Sequence, residues 1–206
     1  MIFKRWNYNS YVSEFLSLRC AGDVLNVVSP LGPKAQKEIT EAMGVIKCLR
    51  HIVLEEPMKY NILDLCAGNA LVSIIAAHLL PIQKCFAVDK RERKREWQKV
   101  KKFSYQQADI YDNNFQYETP TIVVAIHPCK DLAKRVIEIY QQRNLDHIIL
   151  MPCCKGKIGP QCFFTRFEQA MFDSYEKWCV YLARKINANM YRDDKIKSPC
   201  NIIIWK

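Results

Sequence analysis

The chain has 206 residues, half of them hydrophobic, which suffices for one domain with a sizeable core, and no apolar run approaches the roughly 18–20 residues of a membrane span. None of its 10 cysteines belongs to a Cys-x-x-Cys pair, which disfavours zinc-ribbon and thioredoxin-like classes. Residues 1–8 lack the apolar core of a signal peptide, which disfavours secreted disulfide-rich classes and indicates a cytoplasmic protein. The 31 lysines and arginines exceed the 21 aspartates and glutamates, and the formal net charge of +10 favours polyanionic partners, above all RNA or DNA.

The first part of the chain is predicted to be helical. Residues 29–33 form a loop rich in proline and glycine, and residues 34–55 follow with apolar side chains at helical spacing. We expect residues 1–55 to cover a Rossmann-like core formed by residues 56–206, within a single domain of residues 1–206. The protein is predicted to be a monomer or a small homo-oligomer.

Strands and helices then alternate to residue 186. The predicted strands are 61–65, 84–88, 104–107, 121–126 and 147–151, and the predicted helices are 70–80, one beginning within 90–101, one reaching about 142, and 163–186. Residues 189–192 and 201–205 are predicted to form an antiparallel strand pair. This order predicts an α/β, Rossmann-like fold with a seven-stranded, mostly parallel sheet that ends in an antiparallel hairpin.

The most informative segment follows the first strand. Asp64 lies near its end, a loop of small residues with Gly68 comes next, and Asp89 ends the second strand. A nucleotide-like ligand needs this arrangement, because glycine permits a close approach of the backbone and a carboxylate can hold ribose hydroxyls. The loop has one glycine and no Lys-Ser/Thr, so it is neither a P-loop nor a dinucleotide fingerprint. This favours S-adenosylmethionine, which brings no phosphates.

Further polar residues fall at the ends of the later predicted strands. Asp109 follows the third, His127 and Cys129 follow the fourth, and Cys153 and Cys154 follow the fifth. Because the carboxyl ends of parallel strands meet at one edge of a sheet, these residues are expected to converge on the ligand. Asp109 is equally consistent with a simple turn.

Three segments carry a resemblance to a known family: PKAQKEI at 33–39, IHPCKDL at 126–132 and MPCCKGKI at 151–158. With them the chain resembles class I S-adenosylmethionine-dependent methyltransferases. More narrowly, it is similar to the family of eukaryotic tRNA 2′-O-methyltransferases, methyltransferase-like proteins and the glutathione S-transferase C-terminal-domain-containing protein. Lys130 stands where that family usually has glycine, and Asn69 replaces its more frequent glycine or lysine.

The residues and the resemblance together predict the site. The expected cofactor-binding residues are Asp64, Cys66, Ala67, Gly68, Asn69, Asp89, Lys90, Asp109, Ile110 and His127. The expected substrate-binding residues are Lys34, Lys37, Arg91, Arg93, Lys94, Cys153 and Cys154. The basic run at 90–102 would contact phosphates, or else form a solvated helix face with Glu92 and Glu96 as local partners.

Three hypotheses compete for the strand-end cluster of His127, Cys129, Cys153 and Cys154. A cysteine could add to a pyrimidine, but the acidic residue that precedes Pro-Cys in RNA 5-methylcytosine enzymes is missing here. The cluster could bind zinc, although adjacent cysteines rarely ligate one ion. We favour a third, in which His127 shapes the acceptor pocket or takes a proton with Cys129 beside it, the cysteines mainly pack, and no metal is bound.

The sequence therefore predicts an S-adenosylmethionine-dependent methyltransferase whose acceptor is RNA, either tRNA or rRNA. Two alternatives stay open at this point: an enzyme with a small-molecule or protein acceptor, and a non-catalytic member of the fold that binds cofactor or RNA.

Overall fold

The computed structural model of the chain describes residues 10–29, 34–160 and 162–206. Within these ranges, three helices precede the sheet: α1 (Ser10–Leu16), α2 (Ala21–Val28) and α3 (Ala35–Glu55). The last of these confirms the helix predicted over 34–55. Most of the predicted loop at 29–33, and Pro33 of the first resemblance segment, lie outside the described residues.

A seven-stranded sheet forms the centre of the fold, as predicted. Its strands are β1 (Asn61–Leu65), β2 (Cys85–Asp89), β3 (Phe103–Gln107), β4 (Thr121–Ile126), β5 (His147–Met151), β6 (Asn189–Arg192) and β7 (Ile202–Trp205). The spatial order is β3-β2-β1-β4-β5-β7-β6. The first five strands are parallel, and β7 pairs antiparallel with both β5 and β6. The predicted terminal hairpin is therefore confirmed.

Helices cover both faces of this sheet. Beyond α3 they are α4 (Leu71–Leu79), α5 (Asp131–Gln142), α6 (Arg166–Met171) and α7 (Ser174–Ile186). Successive β1 side chains point to opposite faces, so Ile62 packs with α3 and α4, whereas Leu63 packs with α5 and α7. Both are fully buried, which explains why adjacent β1 positions on opposite faces of the sheet are both apolar. No helix among the described ranges is long and apolar enough to cross a membrane.

The helix expected within 90–101 was wrong: the structure has only one 3-10 turn there, at Trp97–Lys99. Like charges stand four residues apart in this run, as in Lys90 with Lys94, and such pairs destabilise a helix. Asp89 also accepts a hydrogen bond from the backbone N–H of Arg91 at 2.9 Å. That local bond holds the chain in a turn instead.

The single long helix expected over 163–186 was also wrong, because the chain divides into α6 and α7. Asp173 accepts hydrogen bonds from the backbone N–H groups of Tyr175 and Glu176, and Glu176 accepts one from the backbone of Asp173. This reciprocal capping box starts a new helix at Ser174.

Candidate functional site

A cavity of about 470 Å³ opens at the carboxyl ends of the parallel strands. Its centre lies where the strand order reverses, since β1 pairs with β2 on one side and with β4 on the other. Chain connections leave in opposite directions there, and such a point is where open α/β sheets bind ligands. The wall includes the ten residues predicted to hold the cofactor, namely Asp64, Cys66, Ala67, Gly68, Asn69, Asp89, Lys90, Asp109, Ile110 and His127. It also includes Arg91, Arg93 and Cys129.

The loop after β1 has an unusual backbone. Cys66, Gly68 and Ala70 have φ values of 61°, 57° and 54°, in the left-handed region. At Gly68 this conformation is unstrained, because glycine has no Cβ. The turn aims the Gly68 N–H at Asp89, which accepts it at 2.9 Å. The loop is thus tied directly to the end of β2.

Asp89 is buried and fully hydrogen-bonded. Besides Gly68, it accepts the backbone N–H of Arg91 and the Arg91 guanidinium, whose Nε lies 2.9 Å from Oδ1 and Nη2 3.2 Å from Oδ2. Burial alone would raise the pKa of Asp89, but the bonds from Arg91 and Gly68 hold that pKa below its ordinary value. A ribose diol at this carboxylate must therefore compete with the Arg91 side chain, which the sequence had assigned to the substrate.

Asp64 lies on the floor of the cavity, where only 3% of the residue is exposed. The hydroxyl of Ser73 donates a hydrogen bond to it at 2.7 Å. Burial, opposed by that bond and reinforced by the charge of Asp89, raises the pKa of Asp64 to about 7. The carboxyl therefore changes its charge near neutral pH.

Asp109 and Ile110 form the far wall, next to β3. Asp109 accepts the backbone N–H of Tyr111 at 3.0 Å, so it shapes a turn and also lines the cavity. The two roles considered for Asp109 from the sequence are compatible in this geometry.

The near wall contains a close contact that the sequence reasoning missed. His127, with φ 58°, places Nε2 2.8 Å from Oε2 of Glu41 on α3. Nε2 has no hydrogen-bond partner among the described residues. Lys37 lies 3.5 Å from the other oxygen of Glu41, and the Glu41 side chain is 2% exposed. An acidic residue inside the buried stretch 39–46 of α3 was the available signal.

Three cysteine sulfurs meet beside His127. The sulfur of Cys153 lies 3.2 Å from that of Cys129 and 3.3 Å from that of Cys154, and Cys129 and Cys154 are 3.7 Å apart. Cys129 lines the cavity, whereas Cys153 and Cys154 lie behind it. The prediction that the ends of β4 and β5 bring these residues together agrees with this geometry.

The remaining predicted substrate residues do not all line the cavity. Arg91 and Arg93 line it, Lys37 pairs with Glu41, and Lys34 and Lys94 are exposed outside it. Trp97 stacks on Tyr105 with ring centroids 4.8 Å apart and packs against Phe103. These aromatic rings pack on one another rather than standing free for a ligand.

Comparison with known proteins bears on this cavity. A family model described as "Methyltransferase domain" matches residues 34–161. No curated protein sequence matches significantly.

One similar solved structure is a mutant of MtNAS in complex with S-adenosylmethionine. Its TM-score is 0.50 at 9% sequence identity, and the match covers 95% of this chain and 69% of the MtNAS chain. An rRNA methylase from Streptococcus thermophilus has a TM-score of 0.48 and 13% identity over 78% of this chain and 94% of that chain. The methyltransferase domain of bacterial CtHen1-CN has a TM-score of 0.49 and 13% identity, over 82% and 97% of the two chains. At such identities the likeness concerns the fold.

Proposed function

Since the chain belongs to this methyltransferase-domain family, as a class I S-adenosylmethionine-dependent methyltransferase, we propose that its acceptor is RNA, either tRNA or rRNA. The observation that carries this proposal is the position of Lys90, Arg91 and Arg93 at the start of the basic segment 90–102, because these three residues line the cavity that holds the cofactor residues.

The cavity fits S-adenosylmethionine. Asp89 has the buried, ionised carboxylate that a ribose diol requires, Gly68 leaves room for the ligand beside the loop, and Asp64 offers a second acidic group. When bound, the cofactor supplies an electrophilic methyl group on a sulfonium. We assign Asp89 to the ribose, Asp109 and Ile110 to the adenine, and the loop from Asp64 to Asn69 to the methionine half.

His127 serves the acceptor side in this proposal. Its imidazole lines the cavity and is held by Glu41, which Lys37 contacts in turn. Glu41 is therefore a positioning residue that keeps the imidazole at the cavity wall, within reach of a proton of the acceptor. Methyl transfer depends mainly on orientation and on exclusion of water, which this buried wall supplies.

The start of the basic segment favours a polyanionic acceptor. Lys90, Arg91 and Arg93 line the cavity, and Lys94 is exposed next to them in the chain. Arg91 pairs with Asp89, whereas in the described part of the chain Lys90 and Lys94 are exposed and form no ion pair, so they are available to phosphates. The last residues of the segment precede β3 and therefore lie at the opposite edge of the sheet from the cavity.

We expect the protein, incubated with methyl-labelled S-adenosylmethionine and separate pools of total RNA, protein and small metabolites, to label the RNA. The double variant Lys90→Gln/Lys94→Gln should bind RNA more weakly, and its slope of log affinity against log salt should fall by about one unit per lost phosphate contact. Filter binding at several salt concentrations measures this slope.

A matched control is Lys47→Gln/Lys185→Gln, which removes the same charge from exposed positions outside the segment 90–102. It should leave both the affinity and the salt slope close to those of the parent protein. Label that enters only the protein or metabolite pool would show that the acceptor class is wrong.

Asp64 predicts a pH dependence of cofactor binding. Because burial raises its pKa to about 7, the carboxyl is largely neutral at about pH 6 and ionised at about pH 8. The ionised form attracts the cationic methionine half, so affinity should rise through this range, by at most about tenfold per pH unit. Without ligand, the free energy of unfolding should fall between about pH 4 and about pH 7, because over that range the folded state binds the proton more tightly than the unfolded chain.

The variant Asp64→Asn keeps an acceptor for Ser73 but has no titrating group there. Calorimetry at three pH values should give a much flatter affinity profile for this variant. An equally steep profile in the parent and the variant would assign the pH dependence to another group.

A further inference from the structure

We propose that the sulfurs of Cys129, Cys153 and Cys154 form a binding site for a zinc ion at the wall of the cavity. The sequence had favoured packed cysteines and no metal. The proposal does not depend on the identity of the methyl acceptor, because it rests on the arrangement of these three side chains.

The sulfur positions suit a thiolate-bound metal. Their separations are 3.2, 3.3 and 3.7 Å. Tetrahedral zinc with Zn–S bonds of about 2.3 Å requires sulfurs about 3.8 Å apart. Each sulfur therefore needs to move by only a few tenths of an ångström to ligate one ion, which a rotation about its Cα–Cβ bond can supply.

The backbone beyond β5 allows the sulfurs of the adjacent Cys153 and Cys154 to lie on the same side of the chain. Adjacent residues on a strand point to opposite faces, but β5 ends at Met151, and Cys153 and Cys154 lie beyond it. Their sulfurs consequently turn to the same side. Cys129 joins them because β4 and β5 are paired in register, with Ile126 opposite Met151.

Charge favours a cation at this position. Three adjacent thiolates would repel one another strongly, and a divalent ion compensates that repulsion while it displaces their protons. Soft sulfur ligands select zinc over magnesium or calcium.

The site has three protein ligands and one open position. Cys200 is nearby, but its sulfur donates to the carbonyl oxygen of Cys153 at 2.9 Å and is not part of the cluster. Cys129 is exposed and lines the cavity, so the ion is accessible from solvent and stands next to His127. The fourth ligand is then a water molecule or a group of the acceptor.

The test uses the reduced, metal-free full-length protein and Co²⁺ as a spectroscopic probe. We expect a thiolate-to-cobalt charge-transfer band that saturates at one equivalent per chain and disappears on addition of Zn²⁺. Cys129→Ser should weaken binding at least about tenfold and reduce the band. Because Cys129 is exposed, this variant should keep the far-ultraviolet circular dichroism of the parent protein.

Cys20→Ser is the matched control. Cys20 is a partly exposed cysteine that precedes α2 and lies outside the cluster. It should bind Co²⁺ like the parent protein. The proposal is overturned if the parent protein gives no charge-transfer band, or if Cys129→Ser and Cys153→Ser both bind with unchanged affinity.

Discussion

Asp89→Ala is expected to weaken the binding of S-adenosylmethionine by roughly 10²- to 10⁴-fold. The ribose hydroxyls would lose two hydrogen bonds to a charged acceptor, each worth about 1.5–3 kcal/mol. The variant also releases the N–H of Gly68, which Asp89 accepts at 2.9 Å, and so loosens the loop beside the cofactor. Isothermal titration calorimetry with the cofactor measures the loss.

Two further variants show whether the loss of cofactor affinity comes from the missing charge of Asp89. Asp89→Asn preserves the size of the side chain and should still bind the cofactor much more weakly than the parent protein, because the negative charge is gone. Asp112→Ala removes an exposed carboxylate outside the cavity and should leave the affinity unchanged. If Asp89→Ala binds as tightly as the parent protein, the assignment of Asp89 to the ribose is wrong.

The bond between Arg91 and Asp89 also stabilises the charged form of the carboxylate. The guanidinium occupies both carboxylate oxygens, so it stabilises the ionised form before any ligand arrives. We expect a ribose diol to replace these contacts on binding, which would release the Arg91 side chain toward the proposed acceptor side of the cavity.

Trp178→Ala is expected to reduce the free energy of unfolding by about 3–5 kcal/mol, the usual cost of removing a large aromatic side chain from a core. Trp178 is fully buried on α7, in the cluster that packs between α5, α7 and the sheet. It also supports the segment that follows β5, since a Cβ added to Gly156 would lie 2.5 Å from its ring. Denaturant unfolding measures the change.

A double-mutant cycle separates the cost of the cavity left by Trp178→Ala from the contribution of the contact between Trp178 and Gly156. Gly156→Ala alone should be destabilising, because the new methyl group meets a rigid, buried ring. In the Trp178→Ala background the same substitution should cost almost nothing, since the ring is absent. Trp97→Ala, which removes a partly exposed ring, should have a smaller effect than Trp178→Ala. Equal losses at Trp97 and Trp178 would contradict the proposed role of the core residue.

Much of the cofactor site could be predicted because its residues occupy strand ends. The apolar run 121–126 indicates a strand buried on both faces, and residues just beyond such parallel strands must share one edge of the sheet. Asp64, Asp89, Asp109 and His127 meet in one cavity for this reason.

The spacing of apolar residues predicted helices less well where hydrogen bonds from side chains to the backbone determine the local structure. The segment 90–101 has many good helix formers, yet Asp89 and the repelling charges hold it in turns. The division of 163–186 depends on the capping box of Asp173, a local signal that the apolar periodicity concealed.

The sequence by itself determined the seven strands, their order along the chain, the edge of the sheet on which the cavity opens and the acidic residues that line it, because burial patterns and strand ends are local properties. The tertiary structure alone decided that Glu41 of α3 contacts His127, because only the packing of a helix against the sheet fixes that distance. It also decided that the Arg91 side chain turns back onto Asp89, because this contact depends on a turn that the helical pattern of the segment did not predict.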